Sequence, residues 1–217
     1  MNNTELIIFD MDGLMFDTEI ISARAWYEAG QAYGYELDKD FLFGFIGMNV
    51  NSIGNVFRKA YGDEFPFDEV NKFQKEKLEN ILDNEGFEIK KGLLEILDYL
   101  DEKKIKKAVA TSSGRVKATK LISKAGVLDR FDTIVCGDEV TKGKPDPEIF
   151  LKACSKLNVA PENALVLEDS ERGLLAANAG NIKCLVIPDL IEISNENRHL
   201  ASSILESLID IKELDLI

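Results

Sequence analysis

The run Leu6-Ile7-Ile8-Phe9 stops abruptly at Asp10-Met11-Asp12-Gly13, and this junction constrains the fold more than any other part of the chain. Four apolar residues ending in acid read as a buried strand with carboxylates at its carboxyl end. In an open parallel sheet that end is where ligands bind, because loops converge there above the strands. Residues i and i+2 of an extended segment point the same way, so Asp10 and Asp12 face a common reactant. Gly13 lets the chain turn sharply out of the strand. Taken alone, an Asp-x-Asp pair is more often a turn former than a catalyst.

Later strand ends supply the support. Ala108-Val109-Ala110 runs into Thr111-Ser112-Ser113-Gly114, and Ala164-Leu165-Val166-Leu167 runs into Glu168-Asp169-Ser170. Between them, Lys144-Pro145-Asp146-Pro147 sets a cation in a stiff loop ahead of a helical pattern from Ile149 to Leu157. Three strand ends carrying acid, hydroxyl and acid, with a lysine between, are better explained as one site than as separate turns.

From Lys90 onward, helix and strand alternate. Leu93, Leu94, Leu97 and Leu100 mark a helical face, and a helix over about 116–125 stops at Gly126. Strands are expected at 108–110, 131–136, 164–167 and 184–187, with Gly173, Ala176, Ala177 and Ala179 letting one helix approach the sheet closely. The tail allows a short strand at 202–205 and a final helix from about Ser207. Such repetition argues for an α/β fold, a Rossmann-like parallel sheet core with helices on both faces.

Residues 16–86 break this rhythm. They contain no clear buried strand but four amphipathic helical stretches, at about 18–33, 38–45, 51–61 and 67–82. Nine of the twelve phenylalanines lie between Phe16 and Phe87 with Trp26, so the segment has its own apolar core. The expected division is a core of 1–16 plus 86–217 and an inserted all-helical domain of 17–85.

A chain of 217 residues buries roughly 70% of its unfolded surface and needs no disulfides. Cys136, Cys154 and Cys184 form no CxxC pair and read as reduced core thiols, which points to a cytoplasmic protein. The first residues lack a signal-peptide pattern, and no apolar run nears the ~20 residues of a membrane span. A net charge of −13 argues against nucleic-acid or anionic membrane partners. A monomer acting on a small molecule is expected. His199, the only histidine, sits in a charged stretch and reads as a surface residue, which excludes a Ser-His-Asp hydrolase and a His-rich metal site.

Together these residues resemble the haloacid dehalogenase superfamily, in its branch of capped small-molecule phosphatases and phosphoglucomutase-like enzymes. The motifs stand in order as Asp10-x-Asp12-Gly13, Thr111, Lys144 and Glu168-Asp169, over nearly the whole chain. The extensions Phe16-Asp17-Thr18-Glu19, Gly143-Lys144-Pro145-Asp146-Pro147 and Glu168-Asp169-Ser170 also look like this branch. The resemblance implies a helical cap inserted after the first strand, and a Mg²⁺-dependent phosphatase acting on a small phosphorylated metabolite such as a sugar phosphate. It also implies an aspartyl-phosphate intermediate.

Residue chemistry is compatible with each implied role. Asp10 is ionised at neutral pH and needs no base to act as nucleophile. Two carboxylates beside a phosphate repel it unless cations intervene, and Mg²⁺, a hard ion held by carboxylates, waters and substrate phosphate, suits that need. Asp10 and Asp169 are the expected side-chain ligands, Asp12 offers its backbone carbonyl, and Glu168 is either a ligand or an outer partner. Asp12 is expected as general acid and then base, a dual role that asks for a raised pKa. Thr111 is expected to bind phosphate by its hydroxyl, Ser112 by its backbone N–H, and Lys144 by charge. Ser113 fits a helix cap as well as a phosphate contact, and Lys142 reads as solvated.

Two other readings stay open. Response-regulator receivers also phosphorylate an Asp, but they are shorter, carry their acid pair before that residue and lack the insert. A phosphoglucomutase-like isomerase is the closer alternative. Such mutases place an arginine in the cap after a glycine turn to grip a second phosphate, and a histidine early in the first cap helix. Here Gly47-Met48-Asn49-Val50 puts Val50 at the first position and Ser22 falls at the second, leaving Arg24 or Arg58 as substitutes.

Overall fold

The computed structural model describes residues 4–214. Six strands form one sheet: β1 (Leu6–Phe9), β2 (Lys106–Thr111), β3 (Thr133–Cys136), β4 (Ala164–Glu168), β5 (Lys183–Val186) and β6 (Ser203–Ile204). Their order is β3-β2-β1-β4-β5-β6, and every pairing is parallel. Because β1 lies between β2 and β4, its carboxyl end is flanked by theirs: Phe9 is in register with Val109 on one side and Leu167 on the other. Asp10, Thr111 and Glu168 therefore emerge close together, at the point where the strand order reverses.

The four residues of β1 are fully buried, and alternation sends them to two faces. Leu6 and Ile8 pack with Ile149, Phe150 and Leu174, which lie on α7 (Glu148–Leu157) and α8 (Glu171–Ala179). Ile7 and Phe9 pack with Leu97, Leu100, Leu121 and Ile122, on α5 (Leu93–Lys103) and α6 (Arg115–Lys124). Each such side chain contributes about 1.5–3 kcal/mol relative to exposure.

Helices α1 (Glu19–Ala32), α2 (Lys39–Phe43), α3 (Val50–Tyr61) and α4 (Phe67–Asn84) occupy the segment between β1 and α5. Phe57 is the centre of their own apolar cluster, stacked on Phe65 with ring centroids 4.6 Å apart and 5.2 Å from Trp26. Buried residues of α1 and α4, namely Ala25, Leu78, Ile81 and Leu82, join the cluster beneath the sheet face. The outgoing and returning chains run side by side: Asp17 N–H donates to Glu88 O at 2.9 Å, and Lys90 N–H donates to Met15 O at 2.9 Å. Phe16 and Ile89 form an isolated antiparallel bridge there.

Several boundaries differ from expectation for identifiable reasons. Strand β2 starts at Lys106, two residues early, because Lys107 is buried in an ion pair with Asp101 and so disguises a strand position as polar. Strand β3 starts only at Thr133, since residues 128–130 form a 3₁₀ turn that Phe131 terminates. The tail holds the short strand β6, but its final helix is 3₁₀, over Leu208–Glu213. All three cysteines are free and buried. Among the described residues, no helix is long and apolar enough to cross a membrane.

Candidate active site

Asp10 continues β1, its N–H donating to Leu167 O at 3.0 Å, and only 6% of it is exposed. Lys144 reaches it from the loop before α7, with Nζ 2.5 Å from Asp10 Oδ1, and also pairs with Glu168 Oε1. Burial would lower the Lys144 ammonium, but the charges of Asp10 and Glu168 reverse this and hold it raised. For Asp10, burial pushes the carboxyl well above the usual range against the pull of Lys144, and the Glu168 charge adds to the rise.

Glu168 is fully buried, and both of its oxygens are engaged. Besides Lys144 on Oε1, Oε2 accepts from Asp169 N–H at 3.1 Å, Ser170 N–H at 3.1 Å and Ser170 Oγ at 2.9 Å. Ser170 in turn caps α8, accepting from Gly173 N–H at 3.2 Å. The acid-acid-serine run is thus a cap and a site at once. Gly173 is needed for a reason beyond close helix packing: a Cβ there would fall on the Glu168 carboxylate. Gly173→Ala is expected to destabilise the protein by about 1–3 kcal/mol through overpacking, measured as a lower urea midpoint with unchanged slope.

Asp10, Glu168 and Asp169 bring ligand oxygens within 4.8 Å of one another, all three buried. Burial, then the charges of Glu168 and Asp10, push Asp169 well above the usual carboxylate range. Two of these three carboxylates, Asp10 and Glu168, pair with the one buried ammonium of Lys144, and no side-chain hydrogen bond reaches Asp169 among the described residues. That surplus of hard oxygen donors fits a divalent ion such as Mg²⁺. With the oxygens of Glu168 engaged by four donors, Asp10 and Asp169 are the carboxylates with free oxygens.

Asp12 departs from expectation. Burial would raise its carboxyl, but the Lys117 charge and the hydrogen bonds from Lys117, Ser113 and Thr18 together outweigh burial and hold it below the usual range. Those donors lie at 2.7 Å for Lys117 Nζ, 2.6 Å for Ser113 Oγ and 2.5 Å for Thr18 Oγ1. Asp12 is therefore held ionised in this state, where a raised carboxyl was expected. Ser113 neither caps α6 nor stands free: Gly114 holds the cap position, and Asp138 Oδ2 accepts from Arg115 N–H at 2.9 Å.

A cavity of about 60 Å³ lies among Asp10, Asp12, Thr111, Ser112, Gly47 and Glu19. The Thr111 side chain is buried and its Oγ1 accepts from Ser113 N–H at 3.0 Å. The Ser112 hydroxyl is engaged by the insert, donating to Gly47 O at 2.9 Å. The 44–49 loop thus lies over the strand ends, and a Cβ on Gly143 would fall on the Asn49 amide. A larger cleft of about 640 Å³ opens beside it between α3, α4 and α6. Asn49, Asn51, Asn71 and Gln74 line it along with Trp26, Leu78 and Val116. Lys142 is exposed, and His199 is exposed with Nδ1 2.8 Å from Glu196 O.

Sequence reasoning missed two residues of this cluster. Glu19 lines the small cavity, and burial, then the Asp12 charge, push its carboxyl up to about 7. Lys117 borders both cavities. Glu19 closed the Phe16-Asp17-Thr18-Glu19 extension without receiving a role, whereas Lys117 looked like any helix-surface lysine.

A family model described as haloacid dehalogenase-like hydrolase matches residues 7–187. Among characterised relatives, the phosphorylated carbohydrates phosphatase of Thermotoga maritima is 32% identical over 179 residues, spanning 82% of this chain and 82% of the relative. The validoxylamine A 7'-phosphate phosphatase of Streptomyces hygroscopicus subsp. limoneus is 28% identical over 191 residues, spanning 83% and 84%. The crystal structure of CbbY from Rhodobacter sphaeroides in complex with phosphate is similar with a TM-score of 0.82, at 27% identity and over 96% of each chain.

Proposed function

The chain belongs to the haloacid dehalogenase-like hydrolases and is a phosphoric monoester hydrolase; from that premise we propose that it cleaves a phosphorylated sugar or sugar-like metabolite through an aspartyl phosphate on Asp10. The observation that carries this reading is the meeting of Asp10, Asp12, Thr111 and Ser112 around one small cavity, with Lys144 against the nucleophile.

In the first step an Asp10 oxygen attacks phosphorus, forming the acyl phosphate as the bond to the leaving oxygen breaks. Asp12 gives that oxygen its proton. In the second step Asp12 takes a proton from water as its oxygen attacks phosphorus, and the Asp10–phosphate bond breaks. Mg²⁺ held by Asp10 and Asp169 would offset the charge of the transferring group. Lys144 does the same from the protein side, while Thr111 and the Ser112 N–H hold the phosphoryl oxygens. Since Lys117 keeps Asp12 ionised in the present state, its acid role requires the Lys117 ammonium to shift toward the bound phosphate and Asp12 to take up one proton from solvent before the first turnover, a proton that the second step then restores. The helical insert would act as the cap, closing over the site through Gly47 and Asn49 and excluding water.

The large cleft supports a polyhydroxylated leaving group, because amides both donate to and accept from hydroxyls. Gln74 is only 4% exposed and lines the cleft, and its side-chain amide makes no hydrogen bond among the described residues. Gln74→Leu keeps the bulk and removes the amide. It is expected to raise KM for the best sugar phosphate about tenfold, the loss of roughly 1.4 kcal/mol, and to leave hydrolysis of a small aryl phosphate unchanged. Equal effects on both would contradict the role.

A mutase would need an anchor for a second phosphate. Val50 lines the cleft where such an arginine would stand, and no arginine lines it. Arg24 is exposed and paired with Glu28 and Glu85, and Arg58 is exposed beside Asn55. A screen of phosphorylated metabolites with Mg²⁺ present is expected to yield free phosphate from a sugar monophosphate. Bisphosphate-primed interconversion of glucose 1- and 6-phosphate, faster than phosphate release, would overturn the hydrolase reading.

A further inference from the structure

Asp189 lies three residues beyond β5, at the same end of the sheet as the site. Its side chain is 9% exposed, and Oδ1 is paired with Lys90 Nζ at 2.5 Å. Oδ2 is sealed from solvent and, among the described residues, has no hydrogen-bond partner. An unpaired buried acceptor costs about 1–3 kcal/mol, and more when charged, so the fold keeps this oxygen for a donor that joins it.

The position of Oδ2 says which donor. Gly13 has φ +85° and no side chain; a Cβ there would fall on Asp169 Oδ2 and stand 3.4 Å from Asp189 Oδ2. The Oδ2 atoms of Asp169 and Asp189 thus lie near one another beside Gly13, in a place that its missing side chain leaves to them. The other charged groups facing it are Glu19, whose carboxyl is influenced by the Asp189 charge, and Lys90, already engaged on Oδ1. Among the described residues, no protein donor reaches Asp189 Oδ2. Mg²⁺ gives up its waters reluctantly, and the waters it keeps are strong donors that need acceptors.

We propose that Asp189 is an outer carboxylate of the metal centre, accepting on Oδ2 a hydrogen bond from a water carried by the ion at Asp10 and Asp169, with Lys90 fixing its orientation through Oδ1. The proposal rests on the Mg²⁺-dependent reading above. Asp189 touches neither substrate nor ion directly and is a positioning residue. Partners of this kind typically change metal affinity by about 10–100-fold.

The test is Mg²⁺ binding measured by calorimetry on the whole protein without substrate, for wild type, Asp189→Asn and Lys90→Met. Asp189→Asn keeps the shape but removes the charge, and Mg²⁺ affinity is expected to fall about 10–100-fold. Lys90→Met removes the ion pair but leaves the acceptor, and a loss of less than about fivefold is expected. Circular dichroism melts without Mg²⁺ show that each variant is folded; should Asp189→Asn not fold, Asp189→Glu, which keeps the charge but displaces the oxygen, is expected to give the same weakened binding. If Asp189 serves only as a staple for Lys90, both variants lower the melting temperature alike and bind Mg²⁺ as wild type does, which would overturn the proposal. If wild type itself shows no saturable Mg²⁺ binding, the metal-dependent reading fails before Asp189 is in question.

Discussion

Asp10→Asn is expected to lower the turnover of every phosphate monoester by on the order of 10⁴-fold or more, the scale seen when a nucleophile is removed. The exchange is nearly isosteric, so the strand end and the cavity keep their shape. Asparagine offers no anionic oxygen to attack phosphorus. It also withdraws one of the two carboxylates that hold Lys144, the other being Glu168. Lys144 is then left with Glu168 alone, so a lower melting temperature is expected, and circular dichroism shows that the variant is folded. The check is a steady-state assay with an aryl phosphate and a sugar phosphate. A loss below tenfold would remove Asp10 from the nucleophile's role.

The second large effect concerns Asp12. General acid–base groups contribute about 10²–10⁴-fold, and their weight depends on the leaving group. Asp12→Asn is expected to slow cleavage of a sugar phosphate by about 10³-fold, because an alkoxide leaves poorly without a proton. An aryl oxide leaves well unaided, so its first step should survive. The second step still lacks its base. A fast burst of aryl alcohol, equal to the enzyme present and followed by slow turnover, is therefore expected in rapid-mixing measurements. Equal losses for both substrates with no burst would mean that Asp12 shapes the site without moving protons.

How much of this was legible in the sequence depended on where each residue's partners lay. The sheet could be read from short apolar runs, because β1 and β4 are buried on both faces and carry no polar residue before their acidic ends. The start of β2 could not, since the Lys107 ammonium is neutralised by Asp101 from α5, a pairing that exists only after folding. The order of Asp10, Thr111, Lys144 and Glu168-Asp169 was likewise visible, as three strand ends with a lysine in a loop between them. What could not be read was the state of each group. The expected raised pKa of Asp12 is reversed by Lys117, which lies 105 residues away in the chain. Whether Glu168 has a free oxygen depends on donors from Asp169, Ser170 and Lys144 that converge in three dimensions. Asp189 carried no signal, because nothing near it in sequence shows that one of its oxygens would be buried without a donor.

The covalent step is tested most directly by the stereochemistry at phosphorus. A sugar phosphate made chiral with sulfur and oxygen isotopes can be hydrolysed in isotopically labelled water and its product configuration determined. Attack by Asp10 and then by water makes two in-line displacements, each inverting the centre, so net retention is expected. Net inversion would mean a single attack by water and would contradict an aspartyl phosphate on Asp10.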